Sequence, residues 1–157
     1  QKPDALVITG DLADSGDAHA YSLLHEARTA SLPVYAVPGN HDRRDRMREL
    51  LGNWCPADAS VAPYLCYAVE DGPVRLVMLD TMQPGSHSGH CPEAVAGWLE
   101  RTLAARPGVP TCCSCTIPVR DRHGRDGRAS RMWAALPISC AVRRGCACAA
   151  GICTAPS

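Results

Sequence analysis

The sequence has no run of about 20 apolar residues, the length a helix needs to cross a bilayer, which argues against a membrane-spanning helix. It does not open with a basic segment followed by an apolar one, which argues against a secretory signal. It has no initiator methionine either, and its first residues, QKPDALVITGD, read as the middle of a domain, so an N-terminal truncation is expected. After Thr111 other absences set in: residues 112–157 contain no Glu, no Lys and one Leu, Leu136. Seven of the chain's 10 cysteines fall there. The overall charge of +0 hides the same break. Residues 1–111 carry 9 Lys+Arg against 14 Asp+Glu, and residues 112–157 carry 7 against 2. At 157 residues the chain is one domain or part of one, long enough to bury a core.

The first 111 residues have the punctuation of a layered α/β protein. Residues 5–11, ALVITGD, form a short apolar run suited to a buried strand. Residues 17–30 place Ala20, Leu23, Leu24 and Ala27 at helical spacing behind Asp17, a candidate N-cap. A second strand over 33–37 is broken by Pro38-Gly39, and residues 42–53 read as a helix ended by Gly52. YLCYAVED and VRLVMLDT flank Gly72-Pro73 as a hairpin. CPEAVAGWLERTLAA is an amphipathic helix with Val95, Trp98, Leu99 and Leu103 inward and Pro92 near its first turn. The order β-α-β-α-β-β-α argues for stacked layers. No periodicity continues past Thr111.

Two of the strands end in polar residues held by glycine, TGDLAD and PGNHD. In α/β sheets, sites gather beyond the carboxyl ends of strands. Asp11 offers two carboxylate oxygens, Asn40 a neutral amide oxygen, and His41 an imidazole that can ligate or donate a proton. Gly10 and Gly39 permit tight turns that aim the following side chain into a cleft. Such mixed oxygen and nitrogen donors suit Mn, Fe or Zn rather than a thiolate site. Two cations about 3.5–4 Å apart would clamp a phosphate and activate a bridging water.

On these residues the chain resembles the calcineurin-like metallophosphoesterases, and within them the class III cyclic-nucleotide phosphodiesterases. The family's GD motif matches Gly10-Asp11, and its GNH[DE] motif matches residues 39–42. LVMLDTMQPGSHSG and WLERTL resemble the branch's later strand, loop and helix. The resemblance covers roughly residues 1–111. It implies an α/β/β/α sandwich, here partial, without its first strand and closing strands. It implies a two-cation site (Mn, Fe or Zn) in which Asp11 bridges the metals, Asn40 binds the second, and His41 contacts the phosphate and assists the leaving group. The implied reaction is phosphodiester hydrolysis by metal-activated hydroxide, without a covalent enzyme intermediate. The implied partner is a small phosphodiester rather than nucleic acid or membrane, and a cytoplasmic location is expected from Cys55, Cys66 and Cys91 read as reduced thiols.

The resemblance also implies ligands that are missing here. The family's Asp-x-His would lie upstream of Gln1. Its His-His-Pro-Pro stretch after the WLERTL helix and its later Gly-His-x-His are not written in the tail. Incomplete ligation predicts a phosphodiesterase by family that does not turn over, with sheet edges left unpaired and prone to aggregation.

A change of reading frame accounts for the tail. Residues 112–118, CCSCTIP, can be encoded TGC TGT TCA TGC ACC ATC CCC. Started one base earlier, with C as that base, the same DNA reads CTG CTG TTC ATG CAC CAT CCC, which is Leu-Leu-Phe-Met-His-His-Pro. A second offset turns VRDRHGRDGRAS into a stretch resembling the family's sequence after the prolines. AGICTA, residues 150–155, yields Gly-His-Leu-His-Arg. Off-frame GC-rich DNA also explains the Arg, Ala, Gly, Pro and Cys content. Residues 112–157 are therefore expected to be an out-of-frame, poorly ordered tail.

Two other readings compete. The chain could be a non-catalytic binding remnant of the fold. Alternatively Cys113 and Cys115, with Cys146 and Cys148, could hold zinc, although the usual spacing is C-x₂₋₄-C rather than C-x-C. Arg120 to Arg131 form a basic stretch with no aromatic platform beyond Trp133, a poor case for nucleic-acid binding. His19 and His25 are expected on a helix surface, and His87 and His90 in a polar loop or beside the substrate. RRDRMRE is expected to be a solvated helix face. Trp54 and Trp98 are expected in the core, and Cys55, Cys66 and Cys91 as reduced thiols.

Overall fold

A computed structural model describes residues 3–27 and 32–116. Strand β1 (Leu6–Thr9) and strand β2 (Val34–Val37) pair in parallel, with Leu6 opposite Val34 and Thr9 opposite Val37. The connection between them contains helix α1 (Ala18–Ala27). Asp17 acts as the expected cap, accepting from the His19 N–H at 3.0 Å. Helix α2 (Arg44–Leu50) follows β2, and a 3₁₀ turn (Ala59–Val61) leads to a second sheet.

That sheet contains β3 (Tyr67–Val69), β4 (Arg75–Met78) and β5 (Thr111–Ser114), in the order β3-β4-β5. The hairpin across Gly72-Pro73 is present, with Tyr67 opposite Met78. Helix α3 (Glu93–Ala105) carries the chain over the sheet so that β5 returns parallel to β4.

Strand alternation makes the two layers. Tyr67, Val69, Leu76 and Met78 face a core shared with Val34, Ala36, Val37, Tyr21, Met47 and Trp54. Cys66, Ala68, Val77 and Leu79 face a second core closed by Val95, Trp98, Leu99 and Leu103 of α3. The layers therefore run α1/α2, β1/β2, β3/β4/β5, α3, a partial α/β/β/α sandwich. Tyr67 stitches the sheets together: its hydroxyl is 2.8 Å from the Ala36 carbonyl and 2.9 Å from the Trp54 carbonyl. All four inward residues expected on α3, Trp98 among them, are buried, as is Trp54.

Three details depart from the sequence expectations. On α1 the fully buried residue is Tyr21, whereas Leu23 is 51% exposed. The basic face of α2 is not wholly solvated, because Arg44 turns inward to pair with Asp80. The last strand extends through Cys112, Cys113 and Ser114, beyond the compositional break at Thr111. Backbone pairing with β4 sets this register, and Arg75 reinforces it by donating from Nε to Thr111 Oγ1 at 3.0 Å. Cys146, Cys148 and the rest of the tail past residue 116 lie outside the described residues. Among the described residues no helix is long and apolar enough to cross a membrane.

Candidate metal and phosphate site

The turns after β1 and β2 meet. Gly10 has φ +85° and Asp11 φ +54°, two consecutive left-handed residues. That conformation is rare for a residue with a side chain, though Asp adopts it more readily than most. It throws the Asp11 carboxylate over the second turn, where Oδ1 accepts from the His41 backbone N–H at 3.2 Å. A Cβ on Gly10 would stand 2.5 Å from the Gly39 nitrogen and 2.7 Å from its Cα, so the backbones approach only because both residues are glycine.

Asp42 holds the two turns together. It is 5% exposed. Its Oδ1 accepts from the Leu12 and Ala13 backbone N–H groups at 3.0 and 3.1 Å, and from the Tyr21 hydroxyl at 2.9 Å. Its Oδ2 accepts from the Gly39 N–H at 2.8 Å. Tyr21 in turn accepts from the Arg43 N–H at 3.0 Å. Burial and the neighbouring carboxylate raise the Tyr21 pKa well above its ordinary value, so the hydroxyl stays protonated as a donor. The sequence reading passed over Asp42 and Tyr21. Asp42 was visible as the last letter of the second motif; Tyr21 carried no signal beyond being an aromatic residue on α1.

The Asn40 Nδ2 lies 3.4 Å from the His87 Nδ1, which leaves the Asn40 amide oxygen available as a ligand. His87 thus belongs to the site's surroundings. His41 Nδ1 is 2.7 Å from the Asp14 carbonyl oxygen. A carbonyl only accepts, so Nδ1 carries the proton. This bond, with the charges of Asp11, Asp14 and Asp42, raises the His41 pKa. His19 is exposed on α1, and His25 stacks on Trp54 with ring centroids 5.8 Å apart.

Beside His41 lies a cleft of about 540 Å³, bounded by the start of α2, Pro63 and the turn at Met82 to Gly85. Arg44 lines it. Its guanidinium donates to Asp80 at 2.5 and 2.8 Å and to the Met82 carbonyl, and lies 5.0 Å from the Tyr64 ring centroid.

The donor set tests whether cations fit. Asp11 and Asn40 supply oxygen donors of the right chemistry. Among the described residues, however, no three of His, Cys, Asp and Glu gather as a group able to hold a metal. Asp42 is committed to backbone and tyrosine donors. Asp11 and Asn40 alone, among the described residues, do not make up such a group. Cys113 and Cys115 pack against the core beneath α3, and burial raises the Cys115 thiol pKa.

Comparison with known proteins agrees with the fold. Residues 1–101 match the family model for calcineurin-like phosphoesterases. The chain is 41% identical to a cAMP/cGMP dual specificity phosphodiesterase of Mycobacterium tuberculosis (strain CDC 1551 / Oshkosh), over 77% of this chain and 42% of that protein. It is 30% identical to the glycerophosphodiester phosphodiesterase GpdQ of Enterobacter lignolyticus (strain SCF1), over 71% of this chain and 40% of that protein. It is 31% identical to the 3',5'-cyclic adenosine monophosphate phosphodiesterase CpdA of Escherichia coli (strain K12), over 66% of this chain and 36% of that protein. The matched part thus spans about two fifths of the curated relatives' length. The chain belongs to the calcineurin-like phosphoesterase family, whose members generally use divalent metal ions.

Proposed function

We propose that this chain carries the phosphate-facing turns of a metal-dependent phosphodiesterase and that the 157-residue polypeptide itself does not turn over. The substrate class is a small phosphodiester, a cyclic nucleotide or a glycerophosphodiester, as the names of the relatives suggest. Asp11 and Asn40 would be cation ligands. His41, with its proton fixed on Nδ1, would present Nε2 to the phosphate and leaving group.

The observation behind this reading is the bond from the His41 N–H to the Asp11 carboxylate, which joins the two motifs in one turn cluster. The observation behind inactivity is the incomplete donor set among the described residues. The test is hydrolysis of bis(p-nitrophenyl) phosphate and cyclic AMP by the purified chain, supplemented with Mn²⁺, Fe²⁺ or Zn²⁺. No turnover above a metal-only blank is expected. Turnover that disappears in Asp11→Asn would establish an active enzyme and overturn the inactivity.

A further inference from the structure

The cleft beside His41 continues past the two turns. Arg48, Pro63, Met82 and Pro84 line the part beyond Arg44 and the α2 start. Arg48 stands one helical turn after Arg44, about 6 Å further along α2. Most charges that line the cleft are already matched. Arg44 pairs with Asp80, and Arg43 pairs with Asp45 at 2.7 Å. Asp42 is held by backbone and tyrosine donors. Arg48 differs. Its Nη2 donates to the Pro63 carbonyl at 2.8 Å, and among the described residues no carboxylate pairs with it. The carbonyl engages one N–H and leaves the rest of the fork for a ligand.

The shape and the chemistry narrow that ligand. A volume of about 540 Å³ falls within the ordinary range of small-molecule sites and exceeds what a glycerol headgroup needs. Pro63, Met82 and Pro84 offer apolar contact to a flat ring. A guanidinium has donors and no acceptor, so the edge it meets must present acceptors. Guanine presents O6 and N7 side by side. Adenine places an amino donor where guanine has O6, and an arginine fork meets it poorly.

We infer that this part of the cleft is a purine subsite in which Arg48 selects guanine over adenine. It deepens the proposed function by naming a guanine nucleotide as the favoured phosphodiester. The base end stands on Arg48 and the cleft walls. Only the phosphate end rests on the reading of His41 as the phosphate-facing residue.

The test uses the full chain, isotope-labelled and without added metal, titrated separately with guanosine, adenosine and guanosine monophosphate. Chemical shifts of residues 40–48 and 82–85, which border the cleft, report binding. Guanosine is expected to bind at least about tenfold more tightly than adenosine. Arg48→Met keeps the length and loses the donors. Arg48→Lys keeps the charge and loses the planar fork. Both are expected to bring the ratio close to one. Arg48 is exposed, so both variants should fold, and circular dichroism checks that they do. Equal binding of guanosine and adenosine by the original chain overturns the inference. So does binding of neither, and so does a guanosine preference that persists in Arg48→Met. Guanosine monophosphate separates the two readings. Tighter binding than guanosine supports a phosphate beside His41. Binding equal to guanosine upholds Arg48 as the guanine selector and counts only against the phosphate-facing reading.

Discussion

Gly39 has no room for a side chain because Asp11 fills it: a Cβ at residue 39 would fall 2.7 Å from the Asp11 Cγ and closer still to its amide nitrogen. The two strand-ending turns are therefore one packed object. The conformation of Asp11 and the absence of a side chain at Gly39 depend on each other.

Gly39→Ala should accordingly destabilise the chain by about 2 kcal/mol or more, in the range of substitutions that force strained backbone apart. It should also release Asp11 from its left-handed conformation. Urea denaturation followed by tryptophan fluorescence measures the first effect. Loss of the Asp11 to His41 amide contact, read as a shift of the His41 amide resonance, measures the second. A fully native stability for the alanine variant would mean that the turns are not in contact.

Tyr21→Phe removes a donor to Asp42 at 2.9 Å and an acceptor for the Arg43 N–H at 3.0 Å while keeping the ring. Leaving such buried groups unmatched costs about 1–3 kcal/mol. Asp42→Ala should cost more, since it strips acceptors from the backbone of Leu12, Ala13 and Gly39 together. The double variant should be less destabilised than the sum of the singles, because both remove the same bond. A double-mutant cycle by thermal denaturation checks this, and strict additivity would refute the coupling.

Much of this arrangement was readable from residue order alone, and the reasons are local. The helix α3 stripe is a repeat with one partner face, so Val95, Trp98, Leu99 and Leu103 were legible. The Gly10-Asp11 and Gly39 turns were legible because only glycine permits that close approach. Tyr21 was not: it lies beside the Leu23 and Leu24 stripe, and its burial is decided by Asp42, 21 residues away. The strand over Cys112 to Ser114 was not legible either. Its residues have no strand pattern of their own, and the chain follows β4 because backbone bonds and the Arg75 to Thr111 contact draw it there.

Stability should fall at alkaline pH in a way set in part by buried thiols, with buried Tyr21 and Tyr67 adding to the loss above about pH 10. Burial pushes Cys66 up to about 12, and Cys55 and Cys91 up to about 11. Each folded value lies above the unfolded thiol's, about 8.5. Protonated thiols therefore favour the fold fully below about pH 8.5, and that contribution is lost as pH rises toward the folded values. Denaturant midpoints should hold from pH 7 to 8 and decline between about pH 9 and 12, less steeply in Cys66→Ala. In the native protein at pH 8, Cys66 should react with iodoacetamide at least about tenfold more slowly than in urea, since the thiolate is the nucleophile. Equal rates in the two states would show that the thiol is not protected.

The last expectation concerns Asp80, whose side chain is fully buried. It pairs with Arg44 and also accepts from the Leu65 N–H at 2.9 Å and the Met82 N–H at 3.1 Å. Asp80→Ala leaves a largely buried guanidinium and two backbone donors unmatched, so it should cost about 3–5 kcal/mol. Arg44→Met should cost less, because the Leu65 and Met82 donors still hold the carboxylate and the methionine can occupy apolar space beside Tyr64. The two changes also separate stability from site shape. Arg44 ties α2 to the Met82 carbonyl, and both residues line the cleft beside His41. Arg44→Met should therefore loosen residues 82–85 even where the fold survives, seen as faster amide hydrogen exchange there with little change in α3. Uniformly faster exchange across both helices would mean that Arg44 contributes global stability alone and has no hold on the cleft.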